Sequence, residues 1–97
     1  MVKSQLIDAF VAENPHLHRS QVEAAVEAIL EAMSSALAEG RRIELRGFGA
    51  FTTSIRPAYR GRNPSTGAAV DVPDRSTIAF RAGRPLRARL NPHLPND

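Results

Sequence analysis

Apolar residues at Leu6, Ile7, Phe10 and Val11 share one face of a helix, and the pattern predicts that helix from Lys3 to Glu13. Asn14-Pro15 ends it, because a residue before proline is pushed out of the α region. A longer stripe of Val22, Val26, Ile29, Leu30, Met33 and Leu37 predicts a second helix reaching about Ala38. Ser20 and Glu23 read as its capping box, and Gly40 as its C-terminal stop. Glu23, Glu27 and Glu31 form a ridge on its wetter side. Beyond Gly40 the period changes to two. Ile43 and Leu45 alternate with Arg42, Glu44 and Arg46, Gly47-Phe48-Gly49 reads as a tight turn with glycines free to take positive φ, and the return strand runs from Ala50 to Arg56. Phe51, Thr53 and Ile55 fall on the face of that strand expected to cover the helices.

Residues 57–73 have almost nothing to bury. Asn63-Pro64 followed by Gly67 suits a type I turn ending in a left-handed residue, and the flanks 58–62 and 68–72 can pair as a ribbon. The segment reads as a protruding hairpin arm or as a disordered loop, since a lone hairpin is marginal in water, and an arm that becomes ordered on a ligand satisfies both readings. Thr77 to Ala82, with Ile78 and Phe80 two apart, predicts the third strand of the sheet, which takes in 41–56 and 74–82. Residues 83–90 predict a short helix with Pro85 in its first turn, and 91–97 a frayed tail. The expected fold is α+β in a single domain of 97 residues: two N-terminal helices over 1–40, a three-stranded antiparallel sheet, the arm and a C-terminal helix. Setting the arm and tail aside leaves roughly 75 residues for a core, marginal for a lone domain. A dimer sharing one core resolves this.

Charge sharpens the picture because it is segregated. Residues 1–40 carry six acids against Lys3 and Arg19, whereas residues 41–90 carry eleven arginines against Glu44, Asp71 and Asp74, a local balance of +8. Such a basic half makes a polyanion the leading partner. With no cysteine, disulfide and thiolate–metal chemistry are excluded. No apolar run is long enough to span a membrane, and the N-terminus does not resemble a signal peptide, so an intracellular protein is expected. Paired carboxylates, an activated nucleophile and a phosphate loop are lacking, and His16 and His18 read as surface histidines, so neither an enzyme nor a cofactor or metal is expected.

Planar cations at Arg46, Arg56, Arg60 and Arg62 suit phosphates and a narrow, electronegative minor groove. Pro64 reads either as an ordinary turn proline or, at the apolar tip of a cationic ribbon, as a wedge that holds two base pairs unstacked. A basic module for RNA or a ribosomal surface, or a structural adaptor, is the reading from another class. It lacks interleaved aromatics for stacking unpaired bases, Tyr59 being the only one in the arm.

The run Gly61-Arg62-Asn63-Pro64-Ser65-Thr66-Gly67, after Arg46-Gly47-Phe48-Gly49-Ala50-Phe51, closely resembles the bacterial histone-like family of HU and integration host factor, from Met1 to about Asn91. Asn14-Pro15-His16-Leu17 and the run from Arg42 to Gly49 are most similar to the beta-subunit branch of integration host factor. The resemblance implies an intertwined dimer whose arms clasp double-stranded DNA in the minor groove and bend it, with a related alpha subunit as partner, or self in an HU-like homodimer without site preference. It implies service in recombination, transcription and translational control, in the bacterial nucleoid. By the same resemblance Pro64 matches the intercalating position, Arg60 and Arg62 arm cations beside Asn63, and Glu44 and Arg46 positions that discriminate a preferred site. Lys3, Arg42 and the amides near Gly83 and Arg84 match phosphate clamps. Residues 74–79 and Pro85 depart from the family's usual wording.

Overall fold

A computed structural model describes residues 1–94, and Pro95-Asn96-Asp97 of the expected tail lie outside the described residues. The chain divides into a helical unit, Met1–Ser35, and a second unit from Ala36 onward. The α+β architecture expected from the sequence is observed.

In the helical unit, α1 (Lys3–Glu13) and α2 (Arg19–Ala38) are joined by the turn at residues 14–18, and the last turn of α2 passes into the second unit. Both helices open in the same way. The Val2 amide donates to Gln5 Oε1 at 2.8 Å, and the His18 amide to Gln21 Oε1 at 2.9 Å. The capping box expected at Ser20 and Glu23 is therefore displaced: α2 begins at Arg19, Gln21 reaches back to His18, and Glu23 is taken by Arg19 at 3.1 Å. At the other end of α1 the Asn14 side chain donates to the Phe10 carbonyl at 2.9 Å. Ile7, Val22 and Val26 are buried against one another, with Val11 packed on them. Arg19 ties the helices at their surface by reaching Asp8 at 2.7 Å. That hydrogen bond, with the field of Glu23 added, holds its guanidinium above the ordinary arginine range. The acidic ridge is thus largely spoken for, since Glu27 pairs with Lys3 and Glu31 accepts from Ser35.

The second unit starts with the end of α2. Gly40 takes φ 78°, which lets the Arg41 amide return to the Ala36 carbonyl at 2.9 Å. Strands β1 (Ile43–Leu45), β2 (Gly49–Arg56) and β5 (Arg75–Ala82) form one antiparallel sheet in the order β1-β2-β5, while β3 (Tyr59–Arg62) and β4 (Ala69–Val72) pair separately as the arm. Partners across the large sheet include Ile43, Phe51 and Phe80 in one row and Thr53 with Ile78 in the next, so the apolar set shares a face. Phe80 packs between Phe48 and Phe51 at centroid distances of 5.3 and 4.8 Å.

β5 starts two residues before the Thr77 expected, because Arg75 completes the ladder opposite Arg56. Of the turn glycines only Gly47 takes positive φ, and Gly49 is an extended strand residue under Phe80. Between the ladders lie Pro57-Ala58 on one strand and Pro73-Asp74 on the other. A proline has no amide to give the ladder, so each strand is interrupted once. Helix α3 (Arg84–Leu90) follows, capped by Gly83 and closed by Asn91.

Candidate nucleic-acid interface

The arm is held by main-chain pairing and by its tip, not by a core. Tyr59 to Arg62 pairs in register with Val72 to Ala69. At the tip the Asn63 carbonyl accepts from the Gly67 amide at 2.7 Å, the Asn63 amide donates to Ala68 at 2.8 Å, and Asn63 Oδ1 accepts from the Ser65 amide at 2.9 Å. Gly67 takes φ 73°, which closes the turn with a left-handed residue. Arg62 steadies this loop by donating to the Gly67 carbonyl at 3.1 Å. Pro64 lies exposed in the turn, and none of those bonds uses its atoms. Asn63 therefore acts on the arm as the residue that shapes the tip. Arg60 faces Asp71 across the ribbon and pairs with it at 3.2 Å. Both side chains are well exposed, so water screens the pair and the guanidinium is not locked away.

A second group gathers at the end of the large sheet where the β1–β2 turn lies. Arg42, Glu44, Arg46, Gly83, Arg81 and Arg87 line a concavity of about 370 Å³. Arg42 leans on Glu44 at 3.8 Å, the one carboxylate among four guanidinium groups. With one carboxylate against four guanidinium groups, such a hollow presents a net positive field, further screened by salt and solvent. The Gly83 amide is engaged within the fold, donating to the Phe48 carbonyl at 2.8 Å, and Arg84 opens α3 beside it. Lys3 belongs to the helical unit and is paired with Glu27 there.

Three arginines escaped the sequence reading. Arg81 and Arg87 line the hollow with Arg42 and Arg46. Arg75 stands directly across the ladder from Arg56, with its guanidinium 6.0 Å from the centre of the Tyr59 ring. The signal was available: Ile78 and Phe80 pointing one way oblige Arg75 and Arg81, at the opposite parity, to point the other.

Among the described residues no group of three or more histidines and carboxylates is placed to hold a metal ion. No described helix is long and apolar enough to cross a membrane.

Known proteins share this fold. The model of the bacterial DNA-binding protein family matches residues 1–91. Anabaena HU, solved in a cocrystal with DNA, is 37% identical, with a TM-score of 0.83 over 95% of this chain and 99% of that one. An HU variant from Thermotoga maritima is 28% identical, with a TM-score of 0.65 over 93% of this chain and 99% of that one. A mutant of transcription factor 1, at 24% identity, shares the fold with a TM-score of 0.60 over 97% of this chain and 93% of that one. A basic ribbon, a basic hollow and a family match along nearly the whole chain lead to one conclusion: the protein belongs to the bacterial DNA-binding family of HU and integration host factor type, a family of nucleoid-associated architectural proteins and not of enzymes.

Proposed function

We propose that this chain is one subunit of an architectural dimer that grips duplex DNA in the minor groove with its arm and bends it by inserting Pro64 between base pairs. The observation that carries the reading is the arm itself, a ribbon outside the sheet with arginines along its strands and an exposed proline at its tip. The site consists of Arg60, Arg62, Asn63 and Pro64 on the arm, with Arg56 at its root. Arg42, Glu44, Arg46 and Arg84 serve on the body, where Gly83 lines the hollow with its amide already committed to the Phe48 carbonyl, and Lys3 on the helical unit. Phosphates supply most of the affinity, and sequence preference follows from the ease with which a site deforms.

A dimer is supported by apolar surface that a single chain leaves in water. Ile29 on α2 is 58% exposed, and Ile78 and Ile55 on the sheet are 60% and 70% exposed. A partner burying such faces supplies the missing core. By its resemblance to the beta branch of integration host factor, the partner is a related alpha subunit, and the complex serves genetic recombination, transcription and translational control in the nucleoid. The second reading, an HU-like homodimer that coats DNA without site preference, draws support from the 37% identity to Anabaena HU.

End-labelled duplex DNA should shorten when the protein is added. A duplex that binds yet keeps its full end-to-end distance overturns the bending. Native mass measurement with and without an alpha-type partner separates the two dimers. Arg46→Ala should lower preferred-site affinity by about tenfold, roughly one bidentate base contact, while random-sequence binding falls less. Equal losses in competition footprinting would make Arg46 a phosphate contact only.

A further inference from the structure

We infer that Arg56 and Arg75 form a clamp for one backbone phosphate of duplex DNA at the root of the arm. The inference rests on the reading of the ribbon as a DNA-binding arm, and it adds a residue, Arg75, that the family resemblance did not bring in.

The two arginines are the last pair of the β2–β5 ladder. Directly opposed residues of an antiparallel pair share a face, with Cβ atoms about 4.5–5.5 Å apart. Guanidinium groups stay charged at any physiological pH, and like charges at that spacing destabilise a sheet. Nothing nearby relieves the repulsion. Among the described residues neither guanidinium forms an ion pair; Asp74, next in the chain, does not reach them, and Asp71 is taken by Arg60. An uncompensated double positive charge therefore stands where the sheet hands over to the arm, and both residues are exposed.

Two neighbours turn this pair into a site. Arg75 lies 6.0 Å from the Tyr59 ring centre, a cation–π contact that restrains the long side chain before any ligand arrives. The next pair on the same face is Ser54 with Thr77, whose hydroxyl oxygens are 3.3 Å apart. Only one of those hydroxyl protons is used between them, so the other is free to donate to an anion. Two planar forks with a neutral donor beside them match the oxygens of a phosphodiester. A phosphate seated there replaces repulsion by attraction and fixes the arm to the body while the tip is engaged.

The test exploits opposite signs. Arg75→Glu converts a repulsive cross-strand pair into an attractive one, so the melting temperature of the DNA-free protein should rise by roughly 4–8 °C. Affinity for duplex DNA should fall at least about tenfold, and the slope of log K against log salt should shrink by about 0.9 in Arg75→Gln. Arg75→Lys should restore the slope. Unchanged affinity and slope in Arg75→Gln, with wild type still binding and bending DNA, would overturn the clamp alone. A fall in stability and affinity together with an unaltered slope would make Arg75 a structural residue and overturn it too. Wild-type protein that fails to bind duplex would remove the arm reading and the clamp at once.

Discussion

Pro64→Ala is expected to leave the fold intact while removing most of the DNA bend. The turn does not depend on the proline ring: its bonds run through Asn63, Ser65, Gly67 and Ala68, with Arg62 bracing the carbonyl of Gly67. Alanine tolerates the same backbone, so the cost to folding is about 0.4–1 kcal/mol from the looser unfolded chain. The DNA complex loses far more. Alanine is too short to keep a base step open, and it carries an amide that must be desolvated. Affinity should fall by roughly tenfold to a hundredfold, and the shortening of an end-labelled duplex should largely disappear. Pro64→Leu should keep part of the bend, because leucine is another apolar wedge. Full bending by Pro64→Ala would show that the tip does not intercalate.

Gly49→Ala should be the most damaging single methyl group in the second unit. A Cβ at this position would sit 2.5 Å from Phe80 Cζ and 2.6 Å from the Arg81 carbonyl oxygen. The ring has little room to retreat, since it packs between Phe48 and Phe51, and the carbonyl is fixed in the β2–β5 ladder. Overpacking of this kind costs about 3 kcal/mol. For a domain of this size that lowers the melting temperature by roughly 12–24 °C, measurable by circular dichroism. Gly67→Ala meets open space and suffers only from its φ of 73°, so its loss should be about 1 kcal/mol. Equal melting temperatures for the two variants would contradict the close approach at Gly49.

The contrast between these glycines shows where sequence reasoning succeeds and where it stops. Gly40, Gly47 and Gly67 were readable because a left-handed backbone at the end of a helix or strand is a local matter. Gly49 looks the same in the sequence, yet its reason lies in Phe80, about thirty residues away. The strand faces were legible for the same local cause: period two sorts Phe51, Ile78 and Phe80 from Arg56 without knowledge of pairing. Which residues stand opposite each other is set by register, so the pairing of Arg60 with Asp71 and of Arg56 with Arg75 became visible only in the ladders. The start of α2 was missed by a competition between near-equals. Ser20 and Glu23 spell a capping box, but Gln21 reaches the His18 amide, and Arg19 draws Glu23 sideways.

The proline interruptions at Pro57 and Pro73 make the arm's reach an adjustable length. Arg56 faces Arg75 below them and Tyr59 faces Val72 above them, so the count of residues matches on the two sides. Inserting two residues into each arm strand therefore keeps every side chain on its own side and moves the tip outward by about 6.8 Å. One added residue per strand would turn Arg60 and Arg62 to the reverse side of the paddle. A lengthened arm that still holds DNA should place its kink further from the body, and nuclease cleavage along the duplex would record the displacement directly.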